Sequence, residues 1–343
     1  VGSHDEVVRR VSWLELFFDL VFVAAVAQVA SPLARDFTVA EIGRFSILFL
    51  LIWWAWLGQT MFATRFGGED PLERAITFAQ ICAAAAMAVN SQGALDSRDS
   101  AGFAAAYGLM RVMLAFQYAR IRSAGVRRLT RRYANGCRVS AALWLVSAVV
   151  PPPARFLLWV AASLVDALTP PIAEAHGTDV PPHSEHLPER FGLFTIVLLG
   201  EAMAAVMRGM QQHESWPPAA AASVLSGLLL VFWVWWSYFH AIGAATPRRV
   251  RSRRQMRRLL AWSYAHMPLY LGLVVGGVGI EHVIVSAEPL PDPALVAEAM
   301  GAVAVVGGAL LLLRRLVGGA GHGELAGEKP DLRMGAVAER LPG

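Results

Sequence analysis

Trp13-Leu14-Glu15-Leu16-Phe17-Phe18-Asp19-Leu20-Val21-Phe22-Val23 opens an apolar run that continues to about Pro32. At roughly 1.5 Å per helical residue, such a run is long enough to cross a bilayer. Two carboxylates interrupt its first turns. Residues four apart share a helix face, so Glu15 and Asp19 point the same way. An acid placed in hydrocarbon costs about 2.5–3.5 kcal/mol on insertion scales. The pair is therefore expected to face protein or water, as part of a functional centre or as interfacial groups paired with an arginine.

The rest of the composition agrees with a membrane setting. The chain has 343 residues, 56% hydrophobic and 16% charged, with a mean hydropathy of +0.47. That is too apolar and too poor in charge for a soluble domain. The net charge of +4 does not indicate a nucleic-acid partner, because the arginines gather between apolar runs, as in membrane orientation. Cys82 and Cys137 supply neither a disulfide framework nor a metal-ligand set, and Cys82 reads as a small core residue. Walker, GxSxG, HExxH and dinucleotide signatures are missing, so no cofactor is expected. The first run carries acids and is too long for a signal peptide core. The chain opens at Val1 without a methionine, which leaves room for a short leader upstream.

The pattern predicts an all-α polytopic bundle of about ten spans, at roughly 12–32, 43–65, 73–92, 101–121, 138–151, 154–173, 190–208, 218–243, 259–284 and 294–316. Pro151-Pro152-Pro153 couples the fifth, short span to the sixth, and these two are candidates for tilted or half-buried segments. A transmembrane domain over 1–316 precedes a glycine-rich tail, 317–343, expected to be disordered. Arg9 and Arg10, the arginines from Arg120 to Arg138, those from Arg248 to Arg258, and Arg314 with Arg315 then fall on one side. The positive-inside rule makes that side cytoplasmic, with both termini there. Asp96, Asp99, Glu288 and Asp292 fall on the other.

An internal repeat is also expected. Trp53-Trp54-Ala55-Trp56 in span two is echoed by Trp233-Val234-Trp235-Trp236 in span eight, and the preceding spans start at Arg10 and Arg190. Spans one to four (10–121) would recur as seven to ten (190–316), with 138–173 inserted. Six intervening spans make the copies parallel. Taken alone, the tryptophans read as interfacial anchors.

Several further polar groups fall inside spans. Arg111 is mid-span and needs a carboxylate; Asp166 and Asp19 are the preferred partners. Such a pair could be a structural pin. His186-Leu187-Pro188-Glu189-Arg190 begins span seven, with Pro188 in the first turn. Arg190 either bridges to an acid of span one or reaches toward headgroups. Glu201 shares its face roughly 16 Å deeper, a candidate proton carrier. His266 precedes Pro268, so its reading divides between a kinked ion site and a hydrogen-bonded core histidine. His183, Glu185 and His186 do not have diagnostic metal spacing, and no metal site is assigned. Gly272, Gly276, Gly277 and Gly279 are expected to permit close helix contact.

Glu15 through Val23, the Trp53–Trp56 cluster, Tyr107 with Arg111, and His186 through Glu201 together resemble the bacterial low temperature requirement A (LtrA) family, over essentially the whole chain to about Arg315. That resemblance implies a protein integral to the bacterial cytoplasmic membrane, of loosely defined activity. Phe17-Phe18-Asp19 is also similar to the Phe-Ser-Asp of the lysosomal potassium channel family, with Phe18 in place of Ser.

Two classes of function follow from these groups. The leading expectation is a channel or transporter for protons or a small cation, using Glu15, Asp19 and Glu201 as binding or relay acids, with Arg111 and Arg190 tuning them. The alternative is a membrane enzyme on a lipid or isoprenoid, with an acid protonating an alkene beside Trp53, Trp54, Trp235 and Trp236. A structural or sensory role in growth in the cold would leave every intramembrane acid paired and no cavity. The lipid bilayer is the expected partner in each case, and a homo-oligomer is left open.

Overall fold

The computed structural model describes residues 11–68, 70–175, 180–183, 186–212, 218–241, 252–286 and 293–324. Among them are ten helices and no strands: α1 (Trp13–Arg35), α2 (Val39–Phe66), α3 (Pro71–Val89), α4 (Ser100–Arg120), α5 (Arg127–Val149), α6 (Ala154–Glu174), α7 (His186–Gln211), α8 (Pro218–Ala241), α9 (Arg253–Val285) and α10 (Pro293–Glu324). Local chemistry sets several starts. Ser12 and Glu15 form a reciprocal capping box at α1, and Ser252 with Gln255 does the same at α9. Asp70 caps α3, whose first residue is Pro71.

Eight helices are long and apolar enough to cross a membrane. The other two, α4 and α5, are more polar. Arg111 and Gln117 lie on the buried side of α4. The arginines expected in a loop after span four instead form the first turns of α5, which begins at Arg127 rather than near 138. The reason is amphipathic periodicity: Leu129, Tyr133, Cys137, Ala141 and Trp144 make a buried stripe, so the arginines can turn outward from a regular helix. At the other end of the chain α10 runs to Glu324, past the boundary expected at 316. The remainder of the tail, Arg9, Arg10, Arg248, Arg249, Arg251, Glu288 and Asp292 lie outside the described residues.

Helix α1 packs on α2, α3 and α7, and α4 packs on α3, α2 and α5. Helix α7 packs on α8 and α9, while α10 packs on α9 and α8. The pairings α1–α2, α1–α3, α3–α4 and α2–α4 have counterparts in α7–α8, α7–α9, α9–α10 and α8–α10, while the α8–α9 contact has no α2–α3 contact of comparable size. Glycines set close approaches at two points in the second group. A Cβ on Gly277 would lie 3.1 Å from the Cα of Ala202, and one on Gly272 would lie 2.8 Å from a Val306 methyl.

Two expectations about single residues are corrected. Trp53 and Trp56 are not interfacial anchors but core residues, 1% and 0% exposed. They lie in the middle of a long helix wrapped by α1, α7 and α9, whereas Trp233, Trp235 and Trp236 do face outward. Cys82 is exposed, because its side of α3 is turned away from α1 and α4; Cys137 is the buried cysteine.

Candidate functional site

Helices α1 and α7 lie side by side and parallel, and each carries two ionisable residues one turn apart. Glu15 meets His186, with Nε2 3.3 Å from the carboxylate. One turn further in, Arg190 clamps Asp19 through two nitrogens, with Nε donating to Oδ2 at 3.1 Å and Nη2 to Oδ1. Trp56 Nε1 donates to Asp19 Oδ1 at 2.7 Å, bringing α2 to the same carboxylate. Phe18 lies beneath the Arg190 guanidinium, 5.6 Å from its carbon. Asp19, His186 and Arg190 are at most 2% exposed. Burial of such charges is tolerable because the bidentate geometry and the indole N–H satisfy nearly every lone pair of the carboxylate.

A cavity of about 1000 Å³ reaches this ladder from the end where α1 and α7 begin. Glu15, Phe18 and Arg190 line it, with Gln59 from α2 and Glu73 and Thr77 from α3. Behind it three buried amides are linked: Gln80 Nε2 donates to Gln59 Oε1 at 3.0 Å and to Gln117 Oε1 at 2.9 Å. Gln117 in turn donates to Glu73. At the rim Arg120 donates to Asp70 at 2.8 Å. That hydrogen bond, with one from the Leu72 N–H, holds the Asp70 carboxyl below its ordinary range.

Of the two partners expected for Arg111, the structure selects Asp166, at 3.0 Å. Tyr107 bridges them: its hydroxyl donates to Asp166 at 3.0 Å and accepts from Arg111 Nη2 at 2.7 Å. Gly58 on α2 makes room for the guanidinium, since a Cβ there would lie 2.7 Å from Arg111 Nη1. A third buried ion pair, between α2 and α6, was not among the sequence expectations. Arg65 lies 2.7 Å from Glu174 with both side chains at most 3% exposed, and Tyr133 donates to the same glutamate at 2.9 Å. Both residues stand at helix ends, where the sequence offers no reason to prefer burial over solvent.

Glu201 belongs to a different place. It pairs with Arg208 at 3.2 Å, and Arg208 also reaches Glu281 at 3.1 Å. Glu201 and Arg208 line a cavity of about 240 Å³ between α1, α7 and α9, with Ala30, Ser31 and Ala34 opposite. The Glu201 side chain is 30% exposed. His266 is fully buried and uses both nitrogens, Nδ1 toward the Trp262 carbonyl at 2.8 Å and Nε2 toward the Tyr238 hydroxyl at 3.0 Å. Phe191, Trp262 and Tyr270 surround its ring, which is the arrangement of a core histidine. His183 N–H donates to the Thr64 carbonyl at 3.2 Å, and Glu185 lies outside the described residues. Among the described residues no three His, Cys, Asp or Glu side chains cluster as metal ligands.

The structure thus brings Glu15, Asp19, His186 and Arg190 together, joins Arg111 to Asp166 elsewhere, and leaves Glu201 and His266 apart from both. Membrane-length apolar helices with inward-folded ion pairs define a polytopic helical membrane protein. The model of the family described as bacterial low temperature requirement A protein (LtrA) matches residues 10–326, and the chain belongs to that family. It is also 27% identical over 287 residues to an uncharacterized protein of Rhizobium meliloti (strain 1021), covering 79% of this chain and 68% of that protein. No solved structure matches it.

Proposed function

We propose that the protein is a carrier for protons or a small cation, working at the α1–α7 contact in the bacterial cytoplasmic membrane with both termini cytoplasmic. One observation carries this reading: cavities approach the same helix pair from its two ends. The larger stops at the Glu15–His186 and Asp19–Arg190 ladder, the smaller at Glu201 and Arg208. Between them Phe22 and Val26 on α1 and Phe194 and Leu198 on α7 are at most 1% exposed. An apolar closure with charged groups on either side is what alternating access requires, and it argues against a permanently open pore. The matching pairings within α1–α4 and α7–α10 support a parallel repeat whose copies meet at this contact.

The enzyme reading has less support. Trp53 and Trp56 are packed in the core, and the large cavity is lined by two acids, two arginines, an amide and two hydroxyls against two aromatic rings, Trp13 and Phe18. The test is flux into proteoliposomes of purified protein, driven by an imposed proton or cation gradient. Asp19→Asn should abolish flux per folded molecule, with the folded fraction measured alongside because the change leaves the Arg190 charge buried and unpaired. Wild-type protein that moves neither protons nor alkali cations would overturn the proposal.

A further inference from the structure

The amides behind the large cavity have a fixed direction, and it leaves one oxygen without a donor. Glu73, Thr77 and Gln80 occupy one face of α3, at i, i+4 and i+7. An ionised Glu73 requires the Gln117 NH2 to point toward it, as it does. Gln117 therefore turns its Oε1 to Gln80, whose own NH2 is then spent on Gln117 and Gln59. Gln80 Oε1 is left fully buried with no hydrogen-bond donor among the described residues. A buried, unsatisfied oxygen of this kind calls for a donor or a cation.

We propose that this floor is an alkali-cation site formed by Glu73, Thr77, Gln59 and Gln80, distinct from the Asp19–Arg190 pair. The set offers a carboxylate, a hydroxyl and amide carbonyls, which is oxygen ligation for a hard cation. A single carboxylate matches a monovalent ion, whereas sites for divalent cations gather more acidic charge. Asp19 is a poor cation ligand because Arg190 already neutralises it. Glu73 is less committed. Arg120 stands 3.8 Å from it and is shared with Asp70. Arg74 also lines the cavity, as an exposed side chain open to solvent screening. Arg190 lines the cavity too, with its charge matched by Asp19.

This inference supplies the carrier reading with a bound ion and rests on it for purpose, but its test is independent of transport. The full chain, purified in detergent, is melted in NaCl, KCl or choline chloride at constant ionic strength. Na+ or K+ should raise Tm saturably over choline, as ligand linkage demands. Glu73→Gln and Thr77→Val should each weaken the apparent affinity at least about tenfold, while Arg44→Gln, at the opposite end of the bundle, should not. If Glu73→Gln does not fold, Thr77→Val and Gln80→Met decide. A wild-type Tm that responds to alkali cations no more than to choline overturns the site, as does an unchanged response in the folded variants. Saturable binding without flux would keep this site and remove the carrier; flux without a Glu73-dependent response would do the reverse.

Discussion

Asp19 and Arg190 are separated by 171 residues in the chain and form one bidentate pair in the second turns of α1 and α7. Each is nearly inaccessible, so each depends on the other to balance its charge. Removing one partner leaves an uncompensated buried charge, at a cost of about 3–5 kcal/mol. Arg190→Leu should therefore lower stability by that order, and Asp19→Leu combined with it should recover much of the loss. A double-mutant cycle on detergent-solubilised protein checks this. Additive losses would mean that the two side chains are not coupled.

Glu201 is half-buried and shares Arg208 with Glu281. Exposed or half-exposed pairs contribute about 1 kcal/mol or less. Glu201→Gln should leave thermal stability nearly unchanged and yet abolish flux if the second cavity lies on the transport route. Unchanged flux in proteoliposomes would remove Glu201 from the mechanism.

Arg111 and Asp166 are joined through Tyr107 and accommodated by Gly58, and a purely structural pin predicts effects on stability alone. Tyr107→Phe deletes a hydroxyl that serves both charges and should destabilise by about 1–3 kcal/mol. Gly58→Ala should also destabilise, by about 1–3 kcal/mol, by driving a methyl into the guanidinium. Flux per folded molecule should not change in either variant. Unfolding midpoints and flux, measured together, separate a pin from a relay.

Gly277 lies against the backbone of Ala202, where α7 meets α9. Gly277→Val would push these helices apart close to the smaller cavity. The expected result is lower stability, together with greater accessibility of a cysteine placed at Ala205 to a membrane-impermeant thiol reagent, with Cys82 and Cys137 replaced by Ser. Unaltered labelling would show that the contact does not govern that cavity.

Asp70 lies at the start of α3, and its carboxyl is held below the ordinary range by Arg120. A carboxylate depressed in the folded state contributes stability above its unfolded pKa, and loses that contribution as pH falls through its folded pKa. Acidification from about pH 6 to pH 3 should therefore destabilise the wild type slightly more than Asp70→Asn. Parallel pH–stability curves for the two proteins would show that the pair contributes nothing.

The legible part of the fold was the part written in local pattern. The apolar runs at about 12–32 and 259–284 have the length of a membrane-crossing helix, and α1 and α9 form over them. Arg127–Arg132 misled because charge density suggested a loop, while the amphipathic stripe of α5 settled it as helix. Arg65 and Glu174 were passed over because helix-end charges ordinarily face water, and only the packing of α2 against Tyr133 encloses them.

The sequence by itself determined that this chain is a helical membrane bundle whose embedded acids and arginines need partners, since hydrocarbon cannot solvate a charge and apolar helical runs cannot bury their backbone any other way. Only the tertiary structure decided which charge meets which: Asp19 with Arg190, Asp166 with Arg111, Glu174 with Arg65, and Glu201 set apart with Arg208. Pairing energy depends on distance and dielectric, and neither exists until helices far apart in the chain are packed side by side.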